Sequence, residues 1–272
     1  MIAAWPKPGR HVPGSAGAWS NPGRWTRALV YALLVASVAA NAYLVQLSNH
    51  YFASVSAVRL DPAGLKVYAA ERSKVKPPGK PRLVLFGDSR ALMWPTPRTL
   101  DDFEVVNRGI GNQTTAQILM RVDDDVAPLH PSVVVLEAGV NDLKAIAEYP
   151  ERRDEIVASC EENLRRIVER LRGTGARVVL VSVFGIGDVA LWRRPFWSSE
   201  VQAAVRQVNR FLPNLVGDQV NLLDADPVLG GAHGRINPAY QYDFLHLTPA
   251  GYSALDERLV PLLHALHHAE RE

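Results

Sequence analysis

The 272-residue chain has a single cysteine, Cys160. No intramolecular disulfide can form, and no cysteine-rich zinc site can be assembled. Charge of one sign is also missing: 30 Lys and Arg stand against 28 Asp and Glu, a formal net charge of +2. A nucleic-acid-binding domain carries a dense basic patch or stripe. Here the basic residues are spread along the chain, so nucleic acid is not an expected partner. No internal repeat or low-complexity tract occurs. Acidic residues are absent from the first 60 positions, Asp61 being the first.

That acid-free stretch contains the one long apolar run. Residues 28–47, ALVYALLVASVAANAYLVQL, hold no charge and are long enough to cross a bilayer. Lys7, Arg10, Arg24 and Arg27 precede it. Positive flanks stay in the cytoplasm, so the N-terminus is expected inside and the rest of the chain outside. Two readings are open. One is an uncleaved signal anchor, with the following domain periplasmic or extracellular and tethered to the inner (cytoplasmic) membrane. The other is a signal peptide cleaved near Ala40-Asn41-Ala42, which would leave a secreted protein. The length of the run and of its charged flank favours the anchor.

Residues 1–27, rich in Gly, Pro, Trp and Arg, read as a disordered cytoplasmic tail. Residues 48–80 read as a linker. Within it Asp61-Pro62 is placed to start a short helix through Arg72, and Lys76-Pro77-Pro78-Gly79-Lys80-Pro81 is a proline-stiffened spacer. The folded domain is expected over 81–272. It alternates strands at 82–87, 103–107, 132–139, 176–184 and 220–225 with helices at 113–122, 151–172, 198–212 and 248–267. This alternation predicts an α/β fold with a parallel sheet covered on both faces.

Ligands bind such a sheet outside the carboxyl ends of its strands. Gly87-Asp88-Ser89-Arg90 follows the first strand, and Asn107-Arg108-Gly109-Ile110-Gly111-Asn112-Gln113-Thr114 the second. Gly139-Val140-Asn141-Asp142 follows the third, and Asp243-Phe244-Leu245-His246 precedes the last helix. All four converge on one rim and supply what acyl transfer requires. A serine hydroxyl needs a base to take its proton; Ser89 is the candidate nucleophile and His246 its base. Asp243 is in reach of the other ring nitrogen, to fix the tautomer and stabilise the imidazolium. A tetrahedral intermediate needs donors aimed at its oxyanion. The amide of Ser89, a main-chain amide at Gly111 or Asn112, and the Asn141 carboxamide are the candidates. Asp88 and Asp142 read as braces for their loops.

These four blocks, in this order over about residues 81–268, resemble the SGNH (GDSL) hydrolase family. The resemblance implies a three-layer α/β/α sandwich of flavodoxin type with a five-stranded parallel sheet. It also implies esterase, lipase, thioesterase or carbohydrate-deacetylase chemistry with no metal cofactor. The substrate would then be a small-molecule, lipid or glycan acyl ester. Two positions depart from the family pattern. Asn112 stands where the oxyanion glycine falls, a change that asparagine's tolerance of positive φ accommodates. Arg90 stands where leucine is usual, either facing the pocket to favour an anionic substrate or lying on the surface.

Beyond the blocks, Trp192-Arg193-Arg194-Pro195-Phe196-Trp197 follows the fourth strand on the same rim. Trp192 and Trp197 are candidates for substrate contact, or else part of a loop packed over the domain. Asp123, Asp124 and Asp125 read as a solvated helix end, and His264, His267 and His268 as exposed residues at a helix C-terminus. Cys160 reads as a buried apolar filler. Two alternatives to hydrolysis remain open at this level: a non-enzymatic module binding an acylated glycan or a protein, and an acyltransferase using the same triad. The acyl length, the alcohol half and the oligomeric state are not encoded in these patterns.

Overall fold

The computed structural model describes residues 22–72, 79–97, 99–230 and 235–268. The tail expected over 1–27 therefore lies, for residues 1–21, outside the described residues. The chain divides into two units between Ser56 and Ala57.

The first unit is helical. Helix α1 spans Pro22–Leu60, well past the apolar run at 28–47. Residues 48–60 contain neither proline nor glycine, so nothing stops the helix until Asp61-Pro62. Its side chains are exposed along nearly the whole length. It is long and apolar enough to cross a membrane, with a window of mean hydropathy 2.0. Asn41, the polar residue in the middle of the run, donates its Nδ2 to Ser37 O four residues back, at 2.8 Å.

The second unit holds a five-stranded sheet. After a single turn α2 (Ala69–Arg72) come β1 (Arg82–Gly87), α3 (Ser89–Leu92) and β2 (Glu104–Gly109). Next are α4 (Thr115–Met120), α5 (Val122–Asp125), β3 (Val133–Glu137) and α6 (Val140–Leu143). Then α7 (Arg153–Gly173), β4 (Arg177–Val181) and α8 (Glu200–Phe211) follow. The chain ends with β5 (Val220–Leu223), α9 (Asp226–Leu229) and α10 (Pro249–His268). The strand order is β2-β1-β3-β4-β5, and every pair is parallel. The strands stop earlier than their apolar runs, because Ala138-Gly139, Val183-Phe184 and Asp224-Ala225 leave the sheet as rim loops.

The alternation of side chains along a strand divides the core in two. Val84, Phe86, Val134, Leu136, Val178 and Leu180 face one layer, packed against Ile118 of α4, Leu164 and Ile167 of α7 and Val205 of α8. Leu83, Leu85, Val133, Val135, Val179 and Val181 face the other, packed against Leu255, Leu259 and Leu263 of α10. The result is the three-layer α/β/α sandwich expected. Between β1 and β3 the strand order reverses direction, which opens a crevice at their carboxyl ends.

Candidate active site

The crevice is where the serine turn lies. β1 ends at Gly87, whose φ is +154° and where a Cβ would come 1.8 Å from Glu137 O on β3. Only glycine fits so close an approach. Asp88 then caps the one-turn helix α3, its Oδ1 accepting from the Arg90 amide at 2.9 Å. This sets Ser89 at the first helical position, part-exposed on the rim.

His246 arrives on a loop pinched shut by an antiparallel bridge between Gln241 and Leu247 and by Tyr242 N donating to His246 O at 2.9 Å. Asp243 Oδ1 accepts from the amides of Leu245 and His246 at 2.7 and 2.8 Å, so the carboxylate organises its own loop. Its Oδ2 lies 2.8 Å from His246 Nδ1, and His246 Nε2 lies 2.9 Å from Ser89 Oγ. Partial burial would raise the Asp243 pKa. The hydrogen bonds from the His246 ring and the two amides outweigh it, and hold the carboxyl below its ordinary value.

The loop after β2 passes beside Ser89: a Cβ on Gly111 would lie 4.0 Å from that of Ser89. Asn112 adopts φ 62°, the left-handed conformation asparagine tolerates, and Lys144 Nζ donates to its Oδ1 at 3.4 Å. The amides of Ser89, Gly111 and Asn112 have no protein acceptor among the described residues. Asn141, only 4% exposed, donates one Nδ2 hydrogen to Gln113 O at 3.0 Å. Asp142 behind it accepts from the Thr115 amide and hydroxyl at 2.8 and 2.6 Å, and burial pushes its pKa up to about 6. Gly139, with φ 121°, sits over buried Cys160, whose Sγ would be 3.3 Å from a Cβ there.

Arg90 corrects the sequence reading. It lies neither in a pocket nor on the surface but is fully buried. In a one-turn helix whose first residue faces the rim, the next points into the domain. Its Nε donates to Leu245 O at 2.8 Å and its Nη1 to Phe184 O at 3.2 Å. Its guanidinium lies 4.9 Å from the centre of the Phe184 ring. Glu137 Oε1 is 3.6 Å away. Glu137, read as part of an apolar strand, and Asp88 are both fully buried. Burial, then the neighbouring Asp88 charge, holds Glu137 well above the usual carboxylate range. Burial also raises Asp88. Two buried carboxyls and one guanidinium therefore sit beneath Ser89, and a proton kept by Glu137 relieves the repulsion between the carboxyls.

A second buried arginine, Arg121, was not singled out from sequence. Its Nη2 donates to Gly87 O at 2.7 Å, its Nη1 to Arg108 O at 2.7 Å and its Nε to Gln113 Oε1 at 2.5 Å. Burial pushes its pKa down to about 10. Asp125 is buried rather than solvated, paired with Arg121 at 3.3 Å and Arg72 at 2.9 Å. Arg72 belongs to a segment that the sequence suggests is linker. Residues 61–72 instead lie against β2, α4 and the loop between them. Gln113 Nε2 donates to Ala63 O at 2.7 Å, and Tyr68 OH to Gly109 O at 2.6 Å. Gln117 Nε2 donates to Pro62 O at 2.8 Å. Asp61 caps the turn by accepting from the amides of Leu65 and Lys66, both at 2.9 Å, and helix is confined to α2. This strap has no hydrophobic period to reveal it.

Of the two tryptophans, Trp197 stands edge-on to Phe244 of the histidine loop, ring centres 5.1 Å apart. Trp192 is 69% exposed, with Arg193 over its ring at 4.6 Å; it is not brought to the triad. His267 is buried against the Phe103 ring, centres 5.5 Å apart, not exposed. Among the described residues no three His, Cys, Asp or Glu side chains converge as a metal site would require.

Known proteins align with this architecture. Platelet-activating factor acetylhydrolase IB subunit alpha1 of Rattus norvegicus is 26% identical over 197 residues, covering 69% of this chain and 74% of that protein. A GDSL-like lipase from Bacteroides thetaiotaomicron superposes with a TM-score of 0.60 at 24% identity, over 76% of this chain and 98% of its own. A catalytic mutant of an acetylxylan esterase from Geobacillus stearothermophilus superposes at 0.54 with 17% identity, over 68% and 94%. At these identities the two structures speak to fold. Residues 86–254 match the model of the GDSL-like lipase/acylhydrolase family, and this chain belongs to that family.

Proposed function

We propose that the chain is a membrane-tethered serine esterase that hydrolyses a short-chain O-acyl ester. The observation that carries this reading is the unbroken relay from Asp243 through His246 to Ser89, with links of 2.8 and 2.9 Å. His246 Nε2 takes the proton as Ser89 Oγ adds to the acyl carbonyl. The oxyanion that forms is met by the amides of Ser89 and of Gly111 or Asn112, with Asn141 beside them. In other acyl-transfer enzymes one such donor lowers the barrier by about 3–4 kcal/mol. His246 then protonates the departing alcohol as the C–O bond breaks. Water, deprotonated by the same ring, attacks the acyl-enzyme; the bond to Ser89 Oγ then breaks as the ring returns that proton to Oγ, and the carboxylic acid leaves.

Asn112 bears on whether the site is active or only binds. Its left-handed conformation gives the oxyanion loop the turn that glycine would give, which supports the enzyme. The acetylhydrolase and acetylxylan esterase names among the relatives support an acetyl or similarly short acyl group. Helix α1, with basic residues before it, supports a single-pass anchor with the catalytic unit outside the cytoplasm. The test is labelling of detergent-solubilised full-length protein with a fluorophosphonate, together with p-nitrophenyl acetate turnover. Ser89 is expected to be labelled and Ser89→Ala to lose turnover. An unlabelled Ser89 in folded protein, or undiminished turnover in Ser89→Ala, overturns the proposal.

A further inference from the structure

We propose that the cavity beside the histidine loop is a subsite for an oxyanion, carboxylate or phosphate, carried on the alcohol half of the ester. This rests on the esterase reading above and names its substrate class. The cavity has a volume of about 510 Å³, room for one sugar-sized group, and contains no member of the triad. Three arginines line it, Arg194, Arg206 and Arg235, and among the described residues no acidic one does.

Little inside the protein neutralises these charges. Arg206 has no hydrogen-bond or ion-pair partner among the described residues. The Arg194 side chain reaches Val189 O through Nε, at 3.2 Å. Arg235 pairs with Asp188 at 2.9 Å, but both side chains are more than half exposed, where such a pair is weak and yields readily to a better anion. The cavity also opens at the start of α8. Ser199, Gln202 and Arg206, on one face of its first two turns, line it, and the positive end of a twelve-residue helix favours an anion there. Trp197 adds an aromatic wall for the body of the ligand.

The cavity is joined to the catalytic loop rather than remote from it. Trp197 stands against Phe244, the residue after Asp243. Gly187, another wall residue, donates its amide to Phe244 O at 2.9 Å. Gln241, at the root of the same loop, accepts from the Asp188 amide at 2.8 Å. A group held by the arginines thus rests on the loop that aims His246.

The test uses full-length protein in detergent and two readouts. In titration calorimetry, glucuronate and glucose 6-phosphate are expected to bind at least about tenfold more tightly than glucose. Whichever binds better distinguishes carboxylate from phosphate. Arg206→Glu, on an exposed helix face, is expected to remove that preference, and added salt to weaken it. In turnover, the kcat/KM ratio of O-acetyl glucuronate to O-acetyl glucose is expected to exceed about ten through KM, and to fall toward one in Arg206→Glu. Arg194→Gln provides a second variant with a smaller expected loss. Equal binding of the charged and neutral sugars, or an unchanged preference in Arg206→Glu, overturns the subsite. An unlabelled Ser89 alongside intact charge-selective binding overturns the esterase reading alone.

Discussion

Arg90→Leu installs the residue usual in the family at this position, yet it is expected to be among the most damaging changes to this chain. It removes the donors to Leu245 O and Phe184 O and the cation 3.6 Å from Glu137, while Asp88 and Glu137 stay fully buried. Each buried carbonyl left without a donor costs about 1–3 kcal/mol. With Glu137 protonated, the charge left without its cation is that of buried Asp88, and breaking a buried ion pair from one side costs about 3–5 kcal/mol in all. At about 2–4 °C per kcal/mol for a domain of this size, the melting temperature should fall by roughly 10 °C. The paired change Asp88→Asn/Arg90→Leu removes the stranded charge as well, the asparagine Oδ1 keeping the acceptor for the amide of residue 90, and losing both members of a buried pair costs far less than losing one. It should recover about half of the loss or more. Thermal unfolding of the parent, both single variants and the double variant closes the cycle. Turnover should not recover in parallel, because Leu245 of the histidine loop still lacks its tie to the serine turn. If Arg90→Leu is as stable as the parent, or the double variant is no better than the single, the account of this cluster is wrong.

Four further outcomes follow from other contacts. Glu137 holds its proton in the folded state where an unfolded glutamate, with an ordinary value of 4.5, has lost it. Its contribution to stability is therefore complete below that value and is lost as pH rises toward the raised pKa. The melting-temperature difference between parent and Glu137→Gln should change with pH across this range, and a pH-independent difference would refute the assignment. Tyr68→Phe removes the bond to Gly109 O, about 1 kcal/mol, and should slow fluorophosphonate labelling of Ser89 severalfold; unchanged labelling would detach the strap from the site. Asn112→Gly should keep activity, whereas Asn112→Val, forced into φ 62° at a cost of about 1–2 kcal/mol, should lower kcat about tenfold with little change in KM. Protease added to sealed spheroplasts should digest the catalytic unit while the intact protein fractionates with membranes at 29.9 kDa; protection of that unit would reverse the orientation.

How much was legible in the sequence depended on whether the information was local. The five strands were legible because continuous β-branched runs have few other uses. Ser89, Asp243, His246 and Asn141 were legible because each sits in a short block at a strand's end or a helix's start, and the sheet brings strand ends together. Arg90, Glu137 and Arg121 were misread or missed for the opposite reason. A charged residue beside an apolar run is by default solvated, and its burial depends on partners far along the chain: Leu245 is 155 residues from Arg90. The segment 61–72 failed similarly. Its proline, glycine and charges are the composition of a linker, while its order comes from Arg108 on β2, Gln117 on α4 and Gln113 in the loop between them, all distant in sequence.

The two fully buried arginines, Arg90 and Arg121, also explain how a chain with one cysteine holds its site together. The serine turn must keep its register with three loops that reach it from different parts of the chain. Arg121 comes from one side of the sheet, over the Phe86 ring at 4.5 Å, and ties Gly87 O to the oxyanion loop through Arg108 O and Gln113. Arg90 comes from the other side, over Phe184, and ties the serine helix to the histidine loop. Tyr252 of α10 completes that side by donating its hydroxyl to Arg90 O at 2.9 Å. Each guanidinium offers five donors in a fixed plane, against three on a lysine, and bonds several carbonyls at once. Main-chain carbonyls accept four of the six side-chain hydrogen bonds of these arginines, so most of the ties fix backbone rather than side-chain positions. The proposed oxyanion site depends on that, because all its donors but the Asn141 carboxamide are backbone amides.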